Sequence, residues 1–417
     1  MSQVRRLRIG IIYGGRSSEH AVSLASAAAI FANLDRERYE PVPIRIEQDG
    51  RWVLAEHPPT LASVADTIAR ARLEPGRATR VTRELHLVAH PGDETMLTVE
   101  RGVDADSGSD DAGHAIVTGL ALDLIFPIVH GPYGEDGTLQ GLLELANIPY
   151  VGAGVLAAAV GMDKAVMKVL FAASGLPIVQ HDVLLRRDWQ ADRAGIVSEL
   201  TGRLRFPLFV KPANLGSSVG ISRATDRDTL SSAIDLAAEF DRKIVVEEGV
   251  TPCREIECAV LGNSDPEVSV PGEIIPSRDF YDYEAKYLDD SSEIVIPAVL
   301  TPGQTAEVQR LAIAAFRAID GAGMARVDML LARDTGRIVL NEINTHPGFT
   351  TISMYSKMWA ASGLSYPALL DRLIACRGRI PMISLVLGPV VGVSALAVGI
   401  SDFVVLGREH GQLSLSS

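Results

Sequence analysis

The most constraining feature of this sequence is a pair of extended segments, Met324–Ala332 and Ile338–Thr345, joined by a short polar connection. Both segments carry charged or amide side chains two residues apart, and in a strand such side chains project from the same face. The connection contains Asp334–Gly336, whose composition is typical of a tight turn. The sequence therefore predicts an antiparallel hairpin that brings the polar groups of both strands together.

The polar face of this hairpin has the chemistry of a cation site. Arg326 and Asp328 share one face of the first strand, and Glu342 and Asn344 share one face of the second. Two carboxylates and an amide oxygen suit a hard divalent cation that carries nucleotide phosphates. The alternative is a purely structural cluster, which is disfavoured because buried charges without a cation are costly.

A glycine-rich loop, Asn214–Gly220, suggests where the phosphates would lie. Glycines let backbone amides approach an anion, Ser217 and Ser218 add hydroxyl donors, and Lys211 supplies a positive charge. The loop matches neither the dinucleotide-binding fingerprint nor the P-loop. Alone it is equally well an ordinary glycine–serine turn. Combined with the cation site, it predicts one nucleotide site built from two halves.

Bulk properties narrow the class of protein. A chain of 417 residues exceeds a single ordinary core, so two or three domains are expected. A net charge of −13 without a basic face argues against a nucleic-acid partner. The three cysteines have no CxxC spacing, which suits a reducing cytosol. No apolar signal region follows the first residues, so a cytoplasmic enzyme is expected.

The carboxyl-terminal tail is a separate problem. From Ile380 to Ile400, 21 residues carry no charge, and a helix of that length could cross a bilayer. Pro381, Pro389 and several glycines make this interpretation the less favoured one. The alternatives are an additional packed segment or a poorly ordered tail, and the role of residues 380–406 stays open.

Apolar segments alternating with turns predict an α/β chain. A strand at Leu7–Tyr13, a helix within Ser17–Phe31 and a strand at Tyr39–Ile46 form a βαβ beginning. Residues 75–119 are expected to form a loop or a weak hairpin. Further strands are predicted at Leu122–Val129, Lys243–Glu247 and Glu255–Leu261, and helices at Thr138–Ala146, Asp163–Ala173, Asp228–Phe240, Pro302–Ile319 and Tyr366–Ala375.

Five segments in this order resemble those of the ATP-grasp superfamily, and specifically of the D-alanine–D-alanine ligases of peptidoglycan synthesis. The resemblance covers roughly residues 7–376, and its most specific parts are the FYDYEAKY and NEINT-x-PGFT runs. The five segments are Gly14–Ser23, His130–Gly137, Lys211–Gly220, Phe280–Tyr287 and Arg326–Thr350.

The resemblance implies a three-domain α/β ATP-grasp fold with the nucleotide between the central and carboxyl-terminal sheets. Residues 1–152 are expected to form a Rossmann-like substrate-binding domain. Residues 153–248 match the central ATP-grasp domain, and 249–378 match the carboxyl-terminal domain with the metal site. The apolar tail, 379–417, lies outside the family pattern.

The resemblance also implies an activity: joining two D-alanine molecules at the expense of ATP, through an acyl phosphate. It further implies two Mg²⁺ or Mn²⁺ ions and a homodimer. A ligase that joins D-alanine to D-lactate, or another ATP-grasp carboxylate–amine ligase, is the alternative that keeps this chemistry. A membrane-tethered scaffold without activity is a rival from another class, and the complete set of metal, phosphate and oxyanion residues argues against it.

The residues that would bind the cations and the nucleotide follow from the same resemblance. Asp328, Glu342 and Asn344 match the metal-binding positions, with Glu342 bridging the two ions. The nucleotide-binding positions, two lysines for the phosphates and two glutamates for adenine and ribose, are matched by Lys164, Lys211, Glu247 and Glu255.

The catalytic and substrate-binding positions are implied in the same way. Arg326 and the backbone N–H of Gly348 match the oxyanion site, and Lys286 matches the lysine that reaches the transferred phosphate. Residues Phe280–Tyr287 are expected to form a closing lid. Around the first D-alanine, the resemblance implies a hydrogen-bonded trio of Glu19, Ser217 and Tyr287, in which Glu19 binds the ammonium group. His130 matches a position beside the carboxylate of the same molecule. Ser353 and Met354 match positions that face the second D-alanine.

One residue departs from the family pattern. His346 stands beside the metal site, where relatives commonly carry an apolar or small residue. An effect on pH dependence or metal choice is one interpretation. A tolerated variation at a loop position is the favoured one.

Overall fold

The computed structural model describes residues 5–73, 83–87, 96–101, 115–275 and 293–376, together with the tail segments 383–386, 389–391, 403–406 and 412–414. The chain forms two compact units, Met1–Arg377 and Gly378–Ser417. Phe280–Tyr287, which includes the predicted site residues Lys286 and Tyr287, lies outside the described residues.

A seven-stranded sheet opens the first unit, in the order β6-β5-β4-β3-β2-β1-β7. Its strands are β1 Leu7–Gly14, β2 Tyr39–Ile46, β3 Trp52–Leu54, β4 Glu84–Leu87, β5 Met96–Arg101, β6 Ala115–Gly119 and β7 Leu124–Pro127. The helices of this region are α1 His20–Asn33, α2 Val64–Leu73 and α3 Thr138–Leu145. Strand β1 runs parallel to β2 and β7, which confirms the predicted βαβ beginning.

The segment predicted to be a loop or a weak hairpin contributes three strands to this sheet. Strands β4, β5 and β6 pair antiparallel in sequence order, so the hairpin interpretation is the correct one and the loop interpretation is wrong there. Leu85, Met96 and Thr98 point into the protein and are buried. Their spacing is that of half-buried strands, but the intervening Gly, Asp and Ser residues masked it.

A four-stranded antiparallel sheet follows, in the order β10-β9-β11-β8. Its strands are β8 His181–Leu185, β9 Leu208–Pro212, β10 Ser222–Ala224 and β11 Lys243–Glu248. The accompanying helices are α4 Val155–Met162, α5 Lys164–Ala173, α6 Arg186–Ala191, α7 Arg193–Arg203 and α8 Arg227–Phe240. The glycine-rich loop connects β9 to β10. Asp163 caps the amino terminus of helix α5, and its side chain accepts hydrogen bonds from the Ala165 and Val166 amides.

The third sheet contains the predicted hairpin. Its strands are β12 Cys253–Gly262, β13 Glu267–Val268, β14 Gly272–Ile275, β15 Glu293–Val295, β16 Gly323–Ala332 and β17 Ile338–Asn344. They follow the order β15-β14-β12-β16-β17, and β13 pairs with β12. The remaining helices of this unit are α9 Pro302–Ala318, α10 Met354–Ala361 and α11 Tyr366–Ala375.

Helix α9 covers the apolar face of this sheet. It starts with a capping box between Thr301 and Gln304. Leu311 and Phe316 are fully buried and share one core cluster with Val327 of β16. Burial of each such side chain contributes about 1.5–3 kcal/mol. Because side chains alternate along a strand, the neighbours of Val327 project from the opposite face.

The second unit consists of short strands in its described part. They are β18 Ile383–Val386, β19 Pro389–Val391, β20 Phe403–Leu406 and β21 Gln412–Ser414, with β18 parallel to β20 and β19 parallel to β21. Within the described residues no helix has the length and apolarity needed to span a membrane. The described parts of the uncharged segment 380–400, Ile383–Val386 and Pro389–Val391, are strands.

The three sheets of the first unit fall within the predicted domains. The first sheet lies within residues 1–152, the second within 153–248 and the third within 249–378. The domain boundaries themselves stay a prediction.

The start of β16 generates a testable prediction about stability. Gly323 and Gly336 both have a positive φ, +71° and +69°. A Cβ on Gly323 would lie 2.8 Å from the Gly152 Cα, whereas a Cβ on Gly336 would meet nothing within 4 Å. Gly336→Ala should cost about 1–2 kcal/mol, from backbone strain alone. Gly323→Ala should cost a further 1–3 kcal/mol, roughly, from overpacking.

Thermal unfolding of both variants measures this difference. Gly336→Ala is the matched control for backbone strain. Equal melting temperatures for the two variants would contradict the close approach of Gly323 and Gly152.

Candidate active site

Two adjoining cavities bring the sequence motifs together. The larger has a volume of about 190 Å³ and includes Lys211, Ser218 and Glu255 in its lining. The smaller, of about 60 Å³, includes Glu19 and His130. The residues that line both cavities are Lys164, Leu215, Gly216, Ser217 and Glu342. A group bound in one cavity would therefore meet a group bound in the other at these residues.

A buried carboxylate between two lysines lies at the wall of the larger cavity. Glu247 forms ion pairs with Lys211 and, at 2.8 Å, with Lys168. Burial alone would raise the pKa of Glu247, but the two lysines outweigh it and lower the pKa to about 2. Lys211 also donates to Asn341 Oδ1 at 3.2 Å. Lys211 and Glu247 thus line the cavity, and Lys168 pairs with the same carboxylate from behind the wall.

Lys168 is a charged residue of this cluster that the sequence analysis missed. It lies one turn after Lys164 on α5, and its side chain is almost completely buried. The i,i+4 spacing from a predicted phosphate-binding lysine was a signal that could have identified it. Lys164 itself donates to the Leu215 carbonyl at 2.7 Å and lies 3.5 Å from Glu342.

The hairpin brings its four predicted residues onto one face. Arg326 lies opposite Asn344, and Asp328 opposite Glu342, in the pairing of β16 with β17. Arg326 donates to both oxygens of Asp328, at 2.7 and 2.5 Å. This confirms the hairpin geometry that the period-two pattern predicted.

Glu257 is a second residue that the sequence analysis missed. It lies on β12 opposite Asp328, and its carboxylate is 3.2 Å from Arg326 Nε. Although burial opposes the charged form, Asp328 and Glu257 raise the pKa of Arg326 well above its usual value. The guanidinium is therefore held permanently positive at the edge of the smaller cavity. Glu257 stands two residues after Glu255 on one strand, so period two was again the available signal.

The donor set on the hairpin fits a hard divalent cation. Asp328, Glu342 and Asn344 supply carboxylate and amide oxygens, the ligands that Mg²⁺ and Mn²⁺ take in proteins. Within the described residues, no three His, Cys, Asp or Glu side chains are grouped as a metal site. Asn344 and phosphate oxygens would therefore have to complete the coordination, as Mg²⁺ sites on nucleotides commonly require.

Two members of the predicted trio meet in the smaller cavity. Glu19 precedes α1, is only 7% exposed, and accepts a hydrogen bond from Ser217 of the glycine-rich loop. The third member, Tyr287, lies outside the described residues. Glu135 lines the same cavity, and burial together with the charge of Glu19 raises its pKa to about 8. A second carboxyl group beside Glu19 was not anticipated.

The two histidines of the smaller cavity are held by hydrogen bonds within the chain. His130 Nδ1 lies 3.1 Å from the His346 carbonyl, and His130 Nε2 lies 3.2 Å from Ser26 Oγ. Gln140 Nε2 lies 3.1 Å from His346 Nε2. Burial and the neighbouring His130 lower the pKa of His346 to about 3. His346 is therefore a neutral, buried residue at physiological pH.

Of the remaining predicted residues, Gly348 lies at a cavity, and Ser353 and Met354 do not. Gly348 lines the smaller cavity. Ser353 and Met354 line neither cavity: Ser353 Oγ accepts from the Thr350 N–H at 2.9 Å, and Met354 is buried against Gly272. Their predicted contact with the second amino acid stays a prediction.

The Glu247 cluster generates a prediction with a defined pH window. The folded pKa of about 2 lies below the ordinary value of 4.5, so the charged form contributes stability above pH 4.5. That contribution is lost as the pH falls from 4.5 towards 2. Glu247→Gln should lower the free energy of unfolding by about 3–5 kcal/mol at neutral pH, because it removes the ion-pair partner of two buried lysines.

Urea unfolding at several pH values tests this expectation, with Glu239→Gln on the exposed face of α8 as the control. The deficit of Glu247→Gln should shrink as the pH is lowered below 4.5, since the wild type then loses the same charge. A deficit that does not change with pH would show that the ion pairs are not its origin.

Comparison with known proteins agrees with this geometry. The family descriptions D-ala D-ala ligase N-terminus and D-ala D-ala ligase C-terminus match residues 8–153 and 170–375. A D-alanine--D-alanine ligase from Heliobacterium modesticaldum is 46% identical over 366 residues, covering 88% of this chain and 93% of the relative.

Solved structures show the same fold. A D-alanine-D-alanine ligase from Coxiella burnetii has a TM-score of 0.71 and 36% identity, covering 89% of this chain and 94% of that chain. A D-Ala:D-Ser ligase from Enterococcus faecalis has a TM-score of 0.70 and 33% identity, covering 89% and 99%. The predicted α/β ATP-grasp fold is confirmed. The chain belongs to the D-alanine–D-alanine ligase family.

Proposed function

We propose that this chain joins two D-alanine molecules into D-alanyl-D-alanine at the expense of ATP, for peptidoglycan precursor synthesis. The observation that carries the proposal is the junction of the two cavities at Lys164, Ser217 and Glu342. The larger cavity suits a nucleotide and the smaller one an amino acid. Membership of the family supports the same assignment.

The first step activates a carboxylate, which by itself is a poor electrophile. The γ-phosphoryl group of ATP is transferred to the carboxylate of the first D-alanine, giving an acyl phosphate and ADP. Lys164 and Lys211 neutralise phosphate charge from the larger cavity, and Lys286 completes this set in our proposal. Two divalent cations, Mg²⁺ or Mn²⁺, held by Asp328, Glu342 and Asn344, would supply further charge neutralisation.

The first amino acid is held in the smaller cavity. The Glu19 carboxylate, oriented by Ser217, binds its ammonium group, and Tyr287 joins this pair. His130 lies in the wall of the same cavity, beside the expected position of the substrate carboxylate. The buried setting strengthens these interactions because little water competes for them.

The second step forms the peptide bond. The amine of the second D-alanine attacks the acyl carbon, phosphate leaves, and the nitrogen loses a proton. The permanently charged Arg326 and the N–H of Gly348 stabilise the tetrahedral oxyanion, and each such preorganised donor supplies about 3 kcal/mol. An acyl phosphate is hydrolysed by water, which is why a closing lid is required.

Two further assignments complete the proposal. The enzyme is proposed to act in the cytoplasm, where ATP is available, and to form a homodimer. Glu247 and Glu255 contact the adenosine part of ATP, and Ser218 contacts its phosphates, because all three line or adjoin the larger cavity. Ser353 and Met354 are proposed to face the second D-alanine after the lid has closed.

A product assay tests the proposed function. Purified full-length protein with Mg-ATP and D-alanine should release phosphate and form D-alanyl-D-alanine, identified by mass. Reactions with D-lactate or D-serine added test the other acceptors. Glu342→Gln should lower turnover by more than about a hundredfold, because loss of even an indirect partner of a metal site costs about 10–100-fold.

Glu307→Gln, on the exposed face of α9, is the matched control and should leave turnover unchanged. Chelation with EDTA should abolish turnover, and Mg²⁺ or Mn²⁺ should restore it. Folded, ATP-binding protein without D-alanine-dependent turnover would rule out the dipeptide assignment.

A further inference from the structure

A short loop between β17 and α10 presents a backbone amide to the smaller cavity. Gly348 lines that cavity, and its N–H has no hydrogen-bond partner within the described part of the chain. The His346 N–H donates to Asn344 Oδ1 at 2.8 Å, and the Thr350 N–H donates to Ser353 Oγ at 2.9 Å. The loop is therefore tied at both ends, while the amide between them stays available to a ligand.

A serine on helix α1, which accompanies the first sheet, is hydrogen-bonded to this loop. Ser26 is fully buried, and the Phe349 N–H donates to its Oγ at 3.1 Å. The same oxygen lies 3.2 Å from His130 Nε2. Because Phe349 directly follows Gly348, the Ser26 hydroxyl fixes the peptide group on the carboxyl side of the available amide.

His130 links the Ser26 hydroxyl to the backbone that precedes Gly348. Its Nδ1 lies 3.1 Å from the His346 carbonyl oxygen, which can only accept, so Nδ1 carries the proton. In the neutral imidazole Nε2 then accepts, and the Ser26 hydroxyl is its donor. Ser26 thus accepts from Phe349 and orients the ring that holds the His346 carbonyl.

A second hydroxyl holds the opposite side of Phe349. Tyr366 on α11 donates to the Phe349 carbonyl at 2.7 Å. The two aromatic rings pack edge to face, with their centroids 6.2 Å apart. Burial raises the pKa of Tyr366 far above its usual value, so the phenol keeps the proton that it donates. The peptide groups on both sides of Phe349, the residue that follows Gly348, are therefore anchored by side chains from helices α1 and α11.

We infer that Ser26 is a positioning residue that holds the Gly348 N–H where the oxyanion forms. The inference rests on the proposed function and adds a residue to which no role has been assigned. An oxyanion donor acts only from a fixed place, and a displacement of about 1 Å costs about a hundredfold in rate. Without the Ser26 hydroxyl, a buried N–H loses its acceptor and His130 loses the donor to Nε2, so the loop must move.

The same helix offers a matched control. Ser23 is also fully buried, accepts from the Gly14 N–H at 2.7 Å and donates to the Ile128 carbonyl at 2.5 Å. Ser23→Ala and Ser26→Ala therefore each remove one buried hydroxyl that makes two hydrogen bonds. Only Ser26 is bonded to the loop that carries Gly348.

Steady-state kinetics on the full-length wild type and the two variants test the inference. Ser26→Ala should lower kcat about tenfold to a hundredfold relative to Ser23→Ala, with KM for ATP nearly unchanged. Impaired attack leaves more acyl phosphate to water, so phosphate released per dipeptide should rise above one. A purely structural role for Ser26 would not change this ratio.

The outcomes separate this inference from the proposed function. If the wild type forms no dipeptide, the proposed function fails and the inference fails with it. If the wild type is active and the two variants share one kcat and one phosphate-to-dipeptide ratio, only the inference is overturned.

A second variant covers the case in which Ser26→Ala does not fold. Tyr366→Phe removes the other hydroxyl anchor of Phe349 and keeps the aromatic ring in place. It should raise the phosphate-to-dipeptide ratio and lower kcat without changing KM. An unchanged ratio and kcat in Tyr366→Phe would then overturn the inference.

Discussion

The register between β16 and β17 is the constraint on which the rest of the site depends. It places Arg326 opposite Asn344 and Asp328 opposite Glu342. A shift of one strand by one residue would turn its side chains to the face beneath α9, where buried charges would have no partners. The apolar residues on that face, with Val327 among them, therefore select the register that gives the polar face its chemistry.

Buried charge around the two cavities is compensated within the chain. Glu247 is neutralised by Lys168 and Lys211, and the Arg326 guanidinium is neutralised by Asp328. Removing one partner from such a set is far more costly than removing the set, because it leaves a charge in a medium of low polarity. The same compensation raises the pKa of Lys211 although burial opposes it, so the proposed function gives phosphate oxygens a preformed cationic partner in the larger cavity.

Local features of the fold could be predicted because they depend on neighbouring residues. The predicted bounds of Tyr39–Ile46 and Tyr366–Ala375 match the structure, and the hairpin followed from period-two side chains and a turn. The contacts of Lys168, Glu257 and Ser26 were not predicted, because their partners lie in other elements far along the chain. Periodicity shows which side chains share a face, but it does not show which faces meet.

The smaller cavity is less charged than its residue types suggest, and this bears on what it binds. His346 is neutral because burial lowers its pKa to about 3, and Glu135 holds a proton below its raised pKa of about 8. The charged side chains that remain in its lining are Glu19, Glu342, Lys164 and Arg326. A cavity that presents both carboxylates and cations suits a zwitterion, whose ammonium and carboxylate each find an opposite charge. Under the proposed function, a hydroxy acid such as D-lactate lacks the ammonium that would offset the Glu19 carboxylate, which favours D-alanine as the first substrate.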